Sequence, residues 1–224
     1  MIQLEEKMET KNTILNRHST RYFTDQKVDL KDIKEILILA QATPSWVNSQ
    51  PEHIYLATGQ SLETIRQRYL NRSKTAAHGK PELPVKSRKD WSKQGQDNMA
   101  AWSDGVSETL GSTWQDTMGS AADKLYNAPA ILYLTLPKDY SLWSLYDLGA
   151  FGQTLMLSAT DRGLGSMTAY QLIKFPDIVR NNLPISDDEV IISGIALGFR
   201  DNSATVNKIN SNRQPLEQIL TINN

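Results

Sequence analysis

Arg17-His18-Ser19-Thr20-Arg21 puts two guanidiniums, an imidazole and two hydroxyls into five residues. A guanidinium is a planar fork of donors that matches phosphate oxygens, and hydroxyls can add further bonds. The segment suits a phosphate; an ordinary solvated basic stretch is the competing reading. Pro44-Ser45-Trp46-Val47-Asn48-Ser49-Gln50-Pro51 is a second candidate. Its side-chain amides carry both donors and acceptors, as the polar edge of a flat heterocycle requires. The same residue types also build plain turns by bonding their own backbone. Gly163-Leu164-Gly165-Ser166 is a third. Glycine lets backbone approach a flat ligand closely, but Gly163 alone also satisfies the end of a helix.

These segments lie between elements with clear periodicity. Residues 29–41 read as a helix capped by Asp29, with Ile33, Ile36, Leu37 and Ala40 on one face and Pro44 as its stop. Residues 53–58 read as a strand ended by Gly59, and Ser61 is the expected cap of a following helix built on Leu62, Ile65 and Tyr69. A helix is expected over 99–125, although Gly105, Gly111 and Gly119 weaken it. Residues 130–136 form an apolar run suited to a buried strand. The strongest helix spans 142–162. Leu145, Leu148, Phe151, Leu155 and Ala159 line one face, and Trp143, Tyr146, Ala150 and Leu157 add apolar surface elsewhere. Such a helix should be buried all round, within the chain or against another subunit. A short helix follows over 175–183, with Pro176 in its first turn. Residues 190–198 read as a third strand, where Gly194 marks a bulge or a close backbone approach.

Residues 71–98 differ from the rest. Seven Lys or Arg against three acids give this segment +4, in a chain of 224 residues whose net charge is −1. It reads as a solvated loop insertion or as a lid over a site. The last 25 residues form a polar arm with one apolar cluster, Leu216, Ile219 and Leu220, which either hangs free or packs on a partner.

Composition removes several functions. With 24 basic and 25 acidic residues there is no global basic field for nucleic acid or an acidic membrane. With no cysteine there is no disulfide, thiolate nucleophile or iron–sulfur cluster, and three scattered histidines make a metal site unexpected. No stretch is long and apolar enough to span a membrane, and Met1–Met8 does not read as a signal peptide. A cytoplasmic setting is the expectation. Neither Gly-x-Gly-x-x-Gly nor a P-loop motif occurs.

Five motifs occur in order: 17–21, Pro44-Ser45-x-x-Asn48-Ser49-Gln50-Pro51, Gly163-Leu164-Gly165-Ser166, Ile195-Ala196-Leu197-Gly198-Phe199, and Asn212-Arg213-x-Pro215-Leu216. In this order and spacing, over about residues 12 to 220, the chain resembles the nitroreductase family of FMN-dependent NAD(P)H oxidoreductases. The resemblance implies an α+β fold, a mostly antiparallel sheet flanked by helices, in an intertwined homodimer. It implies one FMN-binding domain over 1–224, with 71–98 as a variable insertion or lid and 200–224 as an arm around the partner. Arg17, His18, Ser19 and Arg21 match the segment that holds the FMN phosphate and the polar side of the flavin, and Arg213 the late arginine on that phosphate. Pro44, Ser45, Trp46 and Asn48 match a loop that reaches FMN across the dimer interface, with Trp46 in place of a small residue. Thr168, Ala169, Tyr170 and Gln171 match backbone along the flavin ring; Tyr170-Gln171 stands where many relatives carry Glu-Gly near flavin N5.

The implied activity is ping-pong two-electron transfer from NADH or NADPH to nitroaromatics, quinones or related flat electron-poor acceptors. Flavin N5 performs the chemistry, so no side chain need be catalytic and no metal is needed. The alternatives are a flavin-binding or redox-sensing protein with little turnover, or a relative that reduces enones or dehalogenates.

Overall fold

The structure, a computed structural model, describes residues 9–75 and 77–223. Met1–Met8, read above as no signal peptide, and Ala76 of the insertion lie outside the described residues. Four strands form one sheet: β1 (His53–Thr58), β2 (Ala130–Pro137), β3 (Gly165–Thr168) and β4 (Glu189–Gly198). Their order is β1-β2-β4-β3, and each pairing is antiparallel. The α+β architecture expected from the sequence is the one observed.

The unbroken apolar run of β2 has a simple cause. Its residues alternate between two cores, one on each face of the sheet. Ile131 and Tyr133 join Leu62, Ile65, Tyr69, Ile178 and Val179 on one side. Leu132, Leu134 and Leu136 join Ile33, Ile36, Leu148, Phe151 and Leu155 on the other. In β4 the close backbone approach expected at Gly194 is met, while the bulge lies two residues earlier and Gly194 itself pairs in register with Tyr133. Leu134 pairs with Ser193 and Thr135 with Ile191, so Ile192 is bulged. A Cβ on Gly194 would sit 2.6 Å from Leu172 Cβ, which leaves no room for any side chain.

The second core is roofed by α2 (Leu30–Ala40) and α6 (Leu142–Asp161). Asp29 caps α2 by accepting the Lys31 N–H. α6 begins with a Ser141–Ser144 capping box and ends where Gly163, at φ 72°, lets the Leu164 N–H reach Ala159 O and its own N–H reach Thr160 O. Within one chain α6 is not buried all round. Its sheet-facing side is covered, whereas Leu142, Trp143 and Tyr146 are exposed.

Some local expectations are corrected. α3 (Gly59–Ser73) starts two residues before Ser61, because Gly59 at φ 53° turns the chain straight from β1 into the helix. Its N-cap is Thr58, without a side-chain cap. The single helix expected over 99–125 is two, α4 (Lys93–Leu110) and α5 (Trp114–Asp123), broken at Gly111, whose φ is 77°. The helix expected over 175–183 is shorter, Pro176–Arg180. Three elements had no sequence signal: the short helices α1 (Thr10–Asn16) and α7 (Tyr170–Ile173), and β3.

Residues 71–98 are not a loop throughout, since α3 runs into them and α4 begins inside them. Their middle is tied to the body. Gly79 lies against Tyr170 and Lys174, and the Lys80 N–H donates to Lys174 O at 3.0 Å. Glu82 accepts two bonds from Arg180, at 2.7 and 2.9 Å, and one from the Ile191 N–H at 2.7 Å. Burial pushes the Glu82 carboxyl up, but these donors outweigh it and hold the group below its ordinary value. Its contribution is therefore complete above the usual glutamate range, about 4.3, and is lost as pH falls through the folded value. Glu82→Gln is expected to remove about 1–3 kcal/mol of local anchoring. Trypsin should then cut faster at the exposed Lys86, Arg88 and Lys89; an unchanged cutting rate would show that Glu82 does not anchor the segment.

Candidate functional site

A cleft of about 600 Å³ opens between the 17–21 segment, α6, β3 and the C-terminal arm. Arg17, His18, Ser19 and Arg21 line it, with Thr168 from the end of β3 and Arg213 from the arm. Residues far apart in sequence thus meet in one place.

The 17–25 segment is held on three sides. The Thr20 N–H donates to Ser166 O at 3.0 Å, beside a bridge between Ser19 and Ser166. Gly165 is required there, since a Cβ would overlap the Thr20 side chain. Asn207, only 2 % exposed, clamps the next residues. Its Oδ1 accepts the Arg21 and Tyr22 N–H groups at 2.6 and 3.2 Å. Its Nδ2 donates to Tyr22 O and Asp201 O at 2.7 and 2.8 Å. On the third side Leu125, Tyr126 and Asn127 all adopt positive φ, 49°, 59° and 58°. That left-handed turn is costly for side-chain-bearing residues. It lets Tyr126 O accept the Phe23 N–H while Asn127 Nδ2 donates to Phe23 O.

The electrostatics follow from these positions. Burial, then repulsion from Arg213, holds the Arg17 guanidinium below its ordinary pKa. Burial does the same to Arg21, with Arg200 and Arg17 adding to it and Tyr126 opposing. Both remain charged at neutral pH. Arg21 Nη1 donates to Ser19 O and Ile209 O at 3.3 and 3.4 Å, and Arg213 Nη1 to Ser211 O and Asn212 O at 2.8 and 3.0 Å. Among the described residues no carboxylate forms an ion pair with Arg17, Arg21 or Arg213. Three cations in one cleft without a counter-charge fit an anion of more than one charge.

The other candidates lie elsewhere in this chain. Pro44, Ser45, Trp46 and Asn48 do not line the cleft. Their loop is strained: Val47, Asn48 and Gln50 have φ of 44°, 59° and 44°, and positive φ is rare for a β-branched residue. Ser45 Oγ accepts the Gln50 N–H, and the buried Asp147 on α6 accepts the Trp46 N–H at 2.9 Å. The Trp46 ring stacks on Trp143 at 5.2 Å, with both rings about half exposed. Ala169, Tyr170 and Gln171 lead away from Thr168 into the short helix after β3, and Gln171 Nε2 is buried without a partner among the described residues.

Several cleft residues carried no sequence signal. Gln153 and Met156 project from α6, and Ile14 and Leu15 come from the unforeseen first helix. The α6 periodicity marked which residues face the sheet, and it is silent about what the other faces meet. Asn207 and Asp147 are lone polar residues, and the backbone N–H groups they accept are more than a hundred positions away.

The profile of the Nitroreductase family matches residues 14–199. A chloronitrobenzene nitroreductase of Comamonas testosteroni is 28% identical over 217 residues, covering 93% of this chain and 94% of the relative. A nitrobenzene nitroreductase of Ectopseudomonas oleovorans is 27% identical, with the same coverage. Among solved structures, the FMN-dependent nitroreductase NfnB from Mycobacterium smegmatis, in complex with NADPH, superposes with a TM-score of 0.87 at 22% identity, over 96% of this chain and 97% of that one. The fold, the matched span and the relatives agree, and the chain belongs to the nitroreductase family.

Proposed function

We propose that this oxidoreductase holds FMN in the arginine cleft and uses NADH or NADPH to reduce nitroaromatics, quinones or related flat electron-poor acceptors. The observation that carries the reading is the cluster of Arg17, Arg21 and Arg213, charged and without carboxylate partners. The phosphate of FMN is the dianion such a cluster fits, with the Ser19 hydroxyl and His18 beside it. Bound FMN supplies the two-electron chemistry, which fits a chain without cysteine. Thr168, Ala169, Tyr170 and Gln171 offer backbone toward the ring. The relatives named for nitrobenzene and chloronitrobenzene support the acceptor class.

The working unit on this reading is a homodimer of single-domain chains. Pro44, Ser45, Trp46 and Asn48 reach the partner's cofactor, and the exposed Leu142, Trp143 and Tyr146 meet the partner. Residues 71–98 act as a lid. The arm, whose Leu216, Ile219 and Ile222 stay exposed in one chain, wraps the second. Steady-state oxidation of NADH and NADPH against nitrobenzene, a chloronitrobenzene, a quinone and an enone tests the function. Turnover is expected with the nitroaromatics and the quinone; a flavin-loaded protein that turns over none of them would reject it.

A further inference from the structure

A second cleft, of about 460 Å³, lies between α4 and the C-terminal arm. It shares Arg213 with the first, so the two cavities meet at that side chain. One wall is the half-buried ring of Trp102. The others carry the side-chain amides of Asn98, Asn210, Asn212, Gln214 and Gln218. Among the described residues, none of these amides and not the indole N–H bonds to protein. Among the described residues the lining holds no carboxylate, and Arg213 is its one cation.

That equipment selects a ligand class. A flat aromatic wall stacks a base through its π-face. Unpaired amides offer donors and acceptors to a base edge and to ribose hydroxyls without demanding charge. A guanidinium at the boundary suits the phosphates that join such a nucleoside to something in the next cavity.

We propose that this cleft binds the adenosine half of the reducing dinucleotide, NADH or NADPH, while its nicotinamide enters the flavin cleft across Arg213. The proposal rests on the oxidoreductase reading above. It makes Trp102 a residue that sets preference for the dinucleotide and has no part in the redox step.

The test removes the stack from each side. Trp102→Ala is expected to raise the KM for NADH and NADPH about tenfold, the size of one base–aromatic stack. The KM for reduced nicotinamide mononucleotide, which lacks adenosine, should not change, nor should flavin content or the acceptor KM. Gln218→Ala, on the exposed arm, should act in the same direction more weakly. Calorimetry with ADP-ribose reads the cleft without electron transfer, and its binding should weaken about tenfold in Trp102→Ala. Equal losses for the mononucleotide and the dinucleotides, or ADP-ribose binding unchanged by Trp102→Ala, would overturn the proposal. Extraction of FAD in place of FMN would also overturn it, since the adenosine would then belong to the flavin. A wild-type protein that binds ADP-ribose through Trp102 but is reduced by no nicotinamide would reject the oxidoreductase reading and leave the adenosine cleft standing.

Discussion

Arg17→Ala and Arg213→Ala are each expected to weaken FMN binding about ten- to a hundredfold, from the roughly 1.5–3 kcal/mol carried by a charged hydrogen bond. The apoprotein should respond differently. Arg213 is one of the two causes that hold the Arg17 pKa down, so removing it relieves a repulsion. The Arg213→Ala apoprotein should therefore melt no lower than wild-type apoprotein. The FMN-loaded variant should lose most of the thermal shift that a tightly bound ligand confers. Flavin titration followed by fluorescence, with melting curves for both forms, reads both effects. If both variants purify with a full complement of flavin, the phosphate does not lie among these arginines.

Asn207→Ala should be the most damaging single change near the cleft. It leaves the Arg21 and Tyr22 N–H groups without their acceptor, while Tyr22 O and Asp201 O keep the bonds they accept from the Asp201 and Ala204 N–H groups. At about 1–3 kcal/mol for each buried group left unpaired, and with partial relaxation, the loss should be about 3 kcal/mol. For a chain of this length that is roughly a 6–12 °C fall in Tm. Because Asn207 fixes the backbone of Arg21, FMN affinity should fall with it. Asn207→Asp keeps both accepted bonds and should fall between the two. A variant with wild-type Tm and wild-type FMN affinity would show that the 17–25 segment is held by its other contacts.

The parts of the site legible in the sequence are those whose chemistry sits in residue type. Arg17 and Arg21 could be singled out because a guanidinium offers phosphate a planar fork of donors that lysine lacks, whereas Arg213 stood out only through the family resemblance. The two-sided burial of β2 was legible because an alternating strand between two apolar cores has no polar positions to spare. Asn207 was not legible, since the N–H groups it accepts lie 186 and 185 positions away and Asn is common in plain turns. β3 was hidden because four residues after a glycine-ended helix look like the turn itself. The long helix expected over 99–125 failed at Gly111, where a single left-handed residue decides between one helix and two and periodicity cannot see it. The strain at Val47 could not be read at all, because nothing in that residue's chemistry favours positive φ.

The most direct measurement is an anaerobic titration of the purified, flavin-loaded protein, followed at the flavin absorbance. One equivalent of NADH or NADPH per flavin should bleach it, and a nitroaromatic added next should restore the colour. A yellow protein that neither nicotinamide bleaches would contradict the reductase reading and leave a flavin-binding or redox-sensing protein with little turnover.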